Sequence, residues 1–371
     1  MQIVLFGSFI DYQIQLANAL SQKEEVMWVL PLMSLPEEFR GTIDKKVIFY
    51  VIRGRRPIYH PANLFGLSKL LKTISQFKPD VVHFQLGGDL IDLTLFLYCK
   101  FLKRCPIVVT FHDVKTHMGE QYAWIVHFAR FWERKCADEI IVHGERLKQQ
   151  MIEEYHLPSE KVHAIHIGEH EVAPFKKYER EDIKKEVGNL VLFFGRIWEY
   201  KGLEYLIKAE PLITKEVPNA KILIAGEGED FKRYEQMMGD RRENFIIHNY
   251  RVSYKEGAEL FQRCSIVVLP YIEASQSGVV PTAYGFKKPV VVTDVGSIPE
   301  VVDNEKTGFI VPPRDSEALA EKIIKLLKDE KLRKEMGENA YSKLKKDFSW
   351  DKIAEKTIEV YKKALEFRKG V

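Results

Sequence analysis

Two cations spaced five positions apart are the strongest chemical signal in the sequence. Arg196 and Lys201 follow Gly195, where the apolar run 190–194 ends and a helical pattern begins. A helix N-terminus offers unpaired N–H groups and a partial positive charge. A guanidinium binds phosphate oxygens in pairs, and an ammonium adds a point charge. Together they could hold a diphosphate and stabilise it as a leaving group; two solvated surface cations are the plain alternative.

A second polar loop spans residues 270–282 and also follows an apolar run. Ser277, Gly278 and Val279 could turn successive backbone N–H groups towards phosphate or sugar oxygens, because glycine permits close approach of a ligand. Glu273 is the carboxylate best placed to bind sugar hydroxyls or to support a developing oxocarbenium ion. The alternative is an ordinary Ser/Gly-rich turn without a ligand.

Polar residues also follow the predicted strand 107–111. His112 could donate a hydrogen bond to a sugar hydroxyl, and a purely structural histidine is the alternative. Asp113 and His117 lie close by in the sequence, so a metal site has to be considered. Their spacing is not one of the helical zinc signatures, and we expect no metal. Gly7, after the first strand, could bring the backbone close to a donor or acceptor molecule.

The residues that could do chemistry follow β-rich apolar runs that alternate with helical patterns. The predicted strands are residues 3–6, 26–30, 47–52, 81–84, 107–111, 139–142, 162–167, 190–194, 221–225, 245–248, 266–270, 290–293 and 309–311. Several runs lack alternation, as expected for parallel strands covered on both faces. The sequence therefore predicts an α/β protein with two Rossmann-like doubly wound domains facing each other across a cleft. Ligands of such sheets bind beyond the carboxyl ends of the strands.

The alternation pauses over residues 169–187, a charged stretch that contains Pro174 and that we interpret as a linker. The predicted N-terminal domain therefore covers residues 1–168, and the C-terminal domain covers residues 188–350. Residues 351–371 form a separate helical pattern at the end of the chain.

Composition limits the class of protein. The 371 residues are 46% hydrophobic and 29% charged with a net charge of +3, which is typical of a globular protein and demands no nucleic-acid partner. The four cysteines lack CxxC spacing, so neither a zinc knuckle nor a disulfide framework is indicated. We see no signal peptide and no apolar run of membrane-spanning length, and expect a cytoplasmic protein. The basic segments 53–56 and 184–185 are ordinarily solvated; peripheral contact with anionic lipid at the inner membrane face is the weaker hypothesis.

Short motifs in the second half resemble those of one known family. They are Gly-Arg and Lys-Gly within 195–202, Ile-Ala-Gly-Glu-Gly at 224–228, Val-Val-Leu-Pro at 267–270, Lys-Pro-Val-Val at 288–291, Gly-Ser-Ile-Pro-Glu at 296–300 and Thr-Gly-Phe-Ile-Val at 307–311. In this order and spacing, the tract 192–328 is similar to the donor-binding lobe of retaining glycosyltransferases of family 4, which have the GT-B fold. The first half matches mainly in layout and at Thr-Phe-His-Asp, residues 110–113.

The resemblance implies a hexosyl transfer from a UDP-, GDP- or ADP-sugar to a saccharide or lipid-linked acceptor, with retention of anomeric configuration. It implies that Arg196 and Lys201 hold the donor diphosphate and that His112 contacts the transferred sugar. Residues 277–279 would present backbone amides to the donor, and the terminal helix would cross back onto the first lobe. No cofactor and no obligatory metal are expected, because protein cations can stabilise the leaving diphosphate.

One departure from the family pattern concerns its two glutamates, which are usually separated by seven residues. Counting from Glu273 puts Pro281 at the second position, and counting back from Pro289 puts Thr282 there. The second glutamate, which normally binds the nucleotide ribose, is absent, and Thr282 would offer a weaker hydroxyl contact. The alternatives that stay open are a nucleotide-sugar-binding accessory subunit without catalysis, and an epimerase or phosphorylase of the same fold.

Overall fold

The computed structural model forms two compact units, Met1–Ile167 with Trp350–Val371, and Gly168–Ser349. It describes residues 1–7, 9–30, 35–39, 41–51, 62–85, 95–103, 105–114, 123–169, 172–183, 189–228 and 230–369. The basic segments 53–56 and 184–185, and His117 of the considered metal site, lie outside the described residues.

A seven-stranded parallel sheet forms the centre of the first unit, in the order β3-β2-β1-β4-β5-β6-β7. The strands are β1 (Gln2–Gly7), β2 (Glu25–Leu30), β3 (Ile48–Val51), β4 (Val81–Gln85), β5 (Ile107–Phe111), β6 (Glu139–Val142) and β7 (Val162–Ala164). Strands β4 and β5 are buried along their whole length, as expected where helices cover both faces. The strand order reverses between β1 and β4, so their carboxyl ends form a topological switch point.

The helices of the first unit cover this sheet, and the C-terminal helix belongs with them. They are α1 (Ile10–Leu20), α2 (Ala62–Phe77), α3 (Ala123–Cys136) and α4 (Glu145–Tyr155), with short turns at Glu37–Phe39, Tyr98–Lys103 and Ser159–Lys161. The C-terminal helix, Trp350–Lys369, contacts α1 and strands β4 to β6. Tyr361 places its hydroxyl 2.7 Å from Nδ1 of His83, and the Trp350 ring lies 5.1 Å from the Tyr12 ring. The last helix of the chain thus completes the core of the first unit.

A six-stranded parallel sheet forms the centre of the second unit, in the order β10-β9-β8-β11-β12-β13. The strands are β8 (Leu190–Phe194), β9 (Lys221–Ala225), β10 (Phe245–His248), β11 (Ile266–Leu269), β12 (Val290–Thr293) and β13 (Gly308–Val311). Here the order reverses between β8 and β11. The two parallel sheets confirm the predicted pair of Rossmann-like domains.

The helices of the second unit begin with one that precedes β8 and end with two in succession after β13. They are α5 (Val172–Lys176), α6 (Leu203–Glu216), α7 (Lys232–Met238), α8 (Tyr254–Arg263), α9 (Val279–Gly285), α10 (Ile298–Val301), α11 (Ser316–Lys328) and α12 (Glu330–Asp347), and the C-terminal helix is α13. Helix α11 illustrates how the sequence sets them: Asp315 accepts the first free N–H groups, and Leu319 and Ile323 form a buried stripe. In the described ranges no helix combines the length and apolar character needed to cross a membrane.

Part of the segment predicted as a linker, residues 169–187, belongs to the core of the second unit. Val172 and Phe175 of α5 are buried there, and the Phe175 ring lies 5.5 Å from that of Phe261. Because these side chains pack against the second sheet, the second unit begins at Gly168. The short apolar stretch around Pro174 is too brief to show a helical period, which explains why sequence patterns favoured a linker.

Candidate active site

The loop that follows β8 is fixed by the loop that follows β9. The N–H of Gly195 donates to the carbonyl of Ala225 at 2.9 Å, and that of Ile197 donates to Glu227 at 2.8 Å. Gly226 has a φ of +152°, and a Cβ on it would lie 1.9 Å from the carbonyl oxygen of Gly195. Only glycine fits at this contact. These contacts therefore fix the backbone conformation of the loop that carries Arg196.

Both predicted cations lie against aromatic rings. Arg196 is exposed, and its guanidinium carbon lies 5.2 Å from the centre of the Trp198 ring. Lys201 is half-buried, and its Nζ lies 3.8 Å from the centre of the Tyr271 ring and 5.1 Å from that of Tyr200. Aromatic faces attract cations electrostatically but leave their formal charge intact. The rings therefore orient the two side chains without neutralising them.

The carboxylate that lies between the two cations in the sequence has a different partner. Glu199, which lies between them in the sequence, has its Oε2 4.0 Å from Nη1 of Arg233. Within the described part of the chain, neither Arg196 nor Lys201 forms an ion pair. An anionic ligand at this edge of the sheet would meet two positive charges that no carboxylate of the described residues compensates.

The loop after β8 is also joined to the loop after β11, its neighbour across the switch point. Gly202 has a φ of +64°, and a Cβ on it would lie 1.9 Å from the carbonyl oxygen of Pro270. The N–H of Ile272 donates to the carbonyl of Tyr200 at 2.8 Å. These two contacts hold Lys201 beside the second predicted loop, so the structure brings the two sequence motifs together.

The loop after β11 has its own internal bonds. Tyr271 is fully buried, and its hydroxyl lies 3.5 Å from Oγ of Ser277. Ser277 accepts the N–H of Val279 at 3.3 Å, so that amide is already used within the loop. Gly278 is half-buried directly before α9, and Glu273 is exposed on the same loop. Gly278 and Glu273 therefore share one edge with Lys201, whereas the N–H of Val279, which the sequence predicts to face the donor, is bonded to Ser277.

Thr282 stands apart from the other predicted donor-binding residues. Its side chain is only 1% exposed, and its Oγ1 donates to the carbonyl of Gly278 at 2.9 Å within α9. A carboxylate would accept from the ribose hydroxyls, but the Thr282 oxygen is buried and its hydrogen is used within its own helix, so no ligand hydroxyl can reach it in this conformation. The expectation that Thr282 substitutes for the missing glutamate finds no support in this geometry.

In the first unit, His112 follows β5 and is half-buried. Its Nδ1 lies 2.9 Å from Nε2 of His143, and its Nε2 lies 3.4 Å from Oε1 of Gln85. The rings of Phe9 and Tyr12 meet it edge-on, with centres 4.6 and 5.4 Å away. His112 thus lies at the carboxyl edge of the first sheet within an aromatic and polar cluster.

Gly7 ends β1 at the switch point of the first sheet, but its space is taken by the protein itself. A Cβ at this position would lie 2.5 Å from Nε2 of Gln13 and 2.8 Å from the carbonyl oxygen of Gln85. The Nε2 of Gln13 donates to the carbonyl of Phe6 at 3.2 Å. This local packing accounts for the glycine without a ligand.

Sequence patterns missed several residues of the first-unit cluster. His143 follows β6 as His112 follows β5, and the same position at neighbouring strand ends was the available signal. Behind them His83 is buried between Tyr361 and the hydroxyl of Thr110, which lies 2.7 Å from its Nε2. Burial lowers the pKa of His83 to about 3, and the charge of His143 acts in the same direction. His83 is therefore neutral and structural.

Among the described residues, no group of three or more His, Cys, Asp or Glu side chains is arranged to hold a metal ion. His112 has His143 and Gln85 as its nitrogen and oxygen neighbours, which leaves its ring engaged in hydrogen bonds.

Two family models together cover most of the chain. The model described as "Glycosyl transferases group 1" matches residues 175–343, and the model described as "Glycosyltransferase Family 4" matches residues 12–168. The chain belongs to the family 4-like glycosyltransferases. Arg196, Lys201 and the loop after β11 of this glycosyltransferase lie within the first match, and His112 lies within the second.

Curated relatives agree with this family. An uncharacterized glycosyltransferase of Methanocaldococcus jannaschii is 27% identical over 84% of this chain and 84% of its own length. The capsular polysaccharide biosynthesis glycosyltransferase CapM of Staphylococcus aureus is 26% identical over 87% of both chains. The similarity thus spans both units of the glycosyltransferase.

Solved structures show the same fold. Sucrose-phosphate synthase from Thermosynechococcus elongatus matches with a TM-score of 0.74 at 17% identity, covering 99% of this chain and 100% of that one. HepE of Anabaena, crystallised with UDP-glucose, matches with a TM-score of 0.69 at 16% identity, covering both chains completely. These matches confirm the GT-B fold predicted for this glycosyltransferase.

Proposed function

We propose that this glycosyltransferase moves a hexosyl group from a nucleoside diphosphate sugar to a saccharide or lipid-linked acceptor, with retention of anomeric configuration. The observation that carries the proposal is the pair of cations beyond β8. Arg196 and Lys201 lie against aromatic rings and have no carboxylate partner among the described residues. Two oriented, uncompensated cations at a topological switch point suit a diphosphate.

In the proposed reaction the bond between the anomeric carbon and the β-phosphate oxygen breaks, and its electron pair stays on the diphosphate. An acceptor hydroxyl oxygen bonds to the same carbon and releases its proton to the departing phosphate. Negative charge grows on the diphosphate in the transition state, where fixed cations stabilise it most. Because Arg196 and Lys201 would supply this stabilisation, we propose that no divalent metal is required.

Uridine nucleotides are the donors that we propose to test first. The HepE structure of the same fold contains UDP-glucose, which supports a nucleotide-sugar donor for this chain. GDP- and ADP-sugars are the alternatives. The nucleotide would lie at the carboxyl end of the second sheet, because the loop after β8, which carries both cations, meets the loop after β11 there.

The remaining residues of the second unit receive supporting roles in the proposal. Glu273 is exposed near Lys201 and would bind sugar hydroxyls or support positive charge at the anomeric carbon. Gly195 and Gly278 would let the donor approach the backbone closely, beside the buried Ser277.

Calorimetric titration with UDP in the presence of EDTA tests both the cations and the absence of a metal. We expect wild-type protein to bind UDP under these conditions. Arg196→Ala and Lys201→Ala should each weaken binding by about 10- to 100-fold, because a hydrogen bond to a charged group contributes about 1.5–3 kcal/mol. Lys208→Ala is the matched control, since Lys208 lies on α6 and pairs at 3.4 Å with Glu204; its affinity should equal that of wild type.

Equal UDP affinity in wild type and both cation variants would contradict the proposed diphosphate site. Binding that disappears in EDTA and returns with magnesium or manganese would contradict the metal-free proposal. UDP binding without release of UDP from UDP-glucose, over a panel of saccharide acceptors, would instead favour a non-catalytic accessory subunit.

A further inference from the structure

Two neighbouring helical segments of the first unit expose large aromatic side chains. Phe101, in the turn Tyr98–Lys103, is 61% exposed, and Phe131, in α3, is 50% exposed. Among the described residues these are the two most exposed large apolar side chains. A single exposed apolar side chain is ordinary, but two on adjoining segments form a surface that a partner can cover.

The two segments lie next to each other on one side of the first sheet. The turn connects β4 to β5 and α3 connects β5 to β6, and right-handed crossovers place both connections on the same side. Nζ of Lys100 lies 2.7 Å from Oδ1 of Asp138, which joins the turn to the residues directly after α3. Cys99 and Ala137 belong to one buried cluster beneath them. The two phenylalanines therefore belong to one outer surface.

The exposed charge that these segments add to the surface is positive. Lys135 is exposed, and its Nζ lies 5.8 Å from the centres of both the Phe131 and the Trp132 rings. Helix α3 contains three Arg or Lys residues and a single carboxylate, Glu133, which is only 1% exposed. The turn contains two lysines and no carboxylate. An anionic surface that approaches these segments would therefore be attracted by them.

Aromatic rings beside a lysine match the chemistry of an anionic lipid surface. The rings leave water when they enter the boundary between headgroups and acyl chains. The ammonium group on its long stem stays at the level of the lipid phosphates. The centre of a protein–protein interface is usually depleted in lysine, whereas Lys135 lies beside both rings here. This arrangement favours lipid over a protein partner.

We propose that this surface, the aromatic–basic face, binds an anionic lipid bilayer. The face consists of Phe101, Phe131, Trp132 and Lys135, and it does not include the basic segments 53–56 and 184–185. The phenylalanine rings enter the headgroup region, and Lys135 contacts lipid phosphates. The inference goes beyond the proposed transfer reaction and does not depend on it.

Vesicle flotation of the whole chain, without nucleotide or sugar, tests the proposal. Vesicles of phosphatidylcholine and phosphatidylglycerol in equal amounts provide the anionic surface, and pure phosphatidylcholine vesicles provide the neutral comparison. We expect wild-type protein to float with the anionic vesicles, to be released as salt is raised, and to bind the neutral vesicles at least about fivefold more weakly. A lack of binding to anionic vesicles, or equal binding to both kinds, would overturn the proposal.

Variants of the exposed side chains locate the contact. Phe101→Ser and Phe131→Ser should each weaken binding to anionic vesicles by about 5- to 10-fold, because each removes an apolar ring from the interface. Lys135→Gln should weaken it by about fivefold and leave binding to neutral vesicles unchanged. Leu212→Ser is the matched control, since Leu212 is 41% exposed on α6 of the second unit; its binding should equal that of wild type.

The double variant Phe101→Ser/Phe131→Ser decides whether this face is the one that binds. Both positions are exposed, so its melting temperature should stay close to that of wild type. Binding to anionic vesicles as strong as that of wild type would rule out the aromatic–basic face. If the double variant does not fold, unchanged binding of Lys135→Gln has the same meaning.

Analytical ultracentrifugation checks for a second copy of the chain as the occupant. A wild-type dimer that the double variant converts to a monomer would assign the face to self-association and contradict the lipid proposal. Because flotation is recorded without ligand, a failed UDP titration would leave this inference intact, and failed flotation would leave the proposed function intact.

Discussion

Arg196 and Lys201 could be found from sequence because their types and their place after an apolar run already suggest a phosphate site. The contact between Lys201 and the ring of Tyr271 could not be found from sequence. Tyr271 lies far from Lys201 along the chain, and the contact depends on the pairing of β8 with β11. His143 was missed for the same reason, since its partner His112 belongs to another strand. At the scale of residues, sequence indicates charged groups better than the groups that orient them.

Tyr271 allows the orienting role of an aromatic ring to be tested. Tyr271→Leu removes the face that lies 3.8 Å from Nζ of Lys201. We expect UDP affinity to fall by about fivefold, because the cation–π contact contributes about 1 kcal/mol and its loss leaves Lys201 less ordered before binding. Tyr271→Phe keeps the ring and loses only the hydroxyl near Ser277, so its affinity should stay close to that of wild type.

Calorimetric titration gives these affinities, and thermal melts of the same samples show whether each variant is folded at the titration temperature. The leucine variant also leaves a cavity, so its melting temperature should fall. Equal UDP affinities in folded Leu and Phe variants would contradict an orienting role for the ring.

At the scale of elements, the strand–helix alternation could be predicted because parallel strands covered on both faces leave continuous apolar runs. The structure of residues 169–187 could not be predicted in this way. The sequence shows a charged stretch, whereas Val172 and Phe175 are buried against the second sheet. Whether so short an apolar pair packs depends on the surface that it meets, and that surface is made by residues elsewhere in the chain. The course of the loop after β8 likewise depends on Gly202, whose neighbour Pro270 is remote in sequence.

The junction between the loops after β8 and β11 should depend on Gly202. A methyl group in Gly202→Ala would lie 1.9 Å from the carbonyl oxygen of Pro270, at a φ of +64° that already strains alanine by about 1 kcal/mol. We expect a loss of at least about 2 kcal/mol in the free energy of unfolding and weaker binding of UDP, since the two loops must separate.

Gly239→Ala is the matched control for this change. Gly239 lies in the same unit and has a φ of +52°, and a methyl group on it would meet no atom within 4 Å. Its ψ of −134° differs from the 24° of Gly202, so this variant introduces backbone strain of its own without a clash, at a position outside the two loops. Denaturant unfolding and UDP titration compare the two variants. UDP affinity that is equally unaffected in both would show that the Gly202 contact does not position the site.

At the scale of the whole molecule, the two units share one strand topology but have different types of residue at the carboxyl ends of their strands. In the second sheet the switch point between β8 and β11 carries cations and glycines. In the first sheet the strand ends carry polar groups such as His112 and Gln85. Two doubly wound domains could be predicted from the alternation of elements, and the motifs indicated the family. The division of chemistry between the units follows from which residues end each strand, and sequence patterns do show those residues.

A crystal structure of the protein with UDP-glucose tests the central claim most directly. We expect the pyrophosphate beyond the carboxyl end of β8, with its oxygens within hydrogen-bonding distance of both Arg196 and Lys201. A complex in which both side chains point into solvent, with the pyrophosphate bound at another place on the protein, would contradict the account.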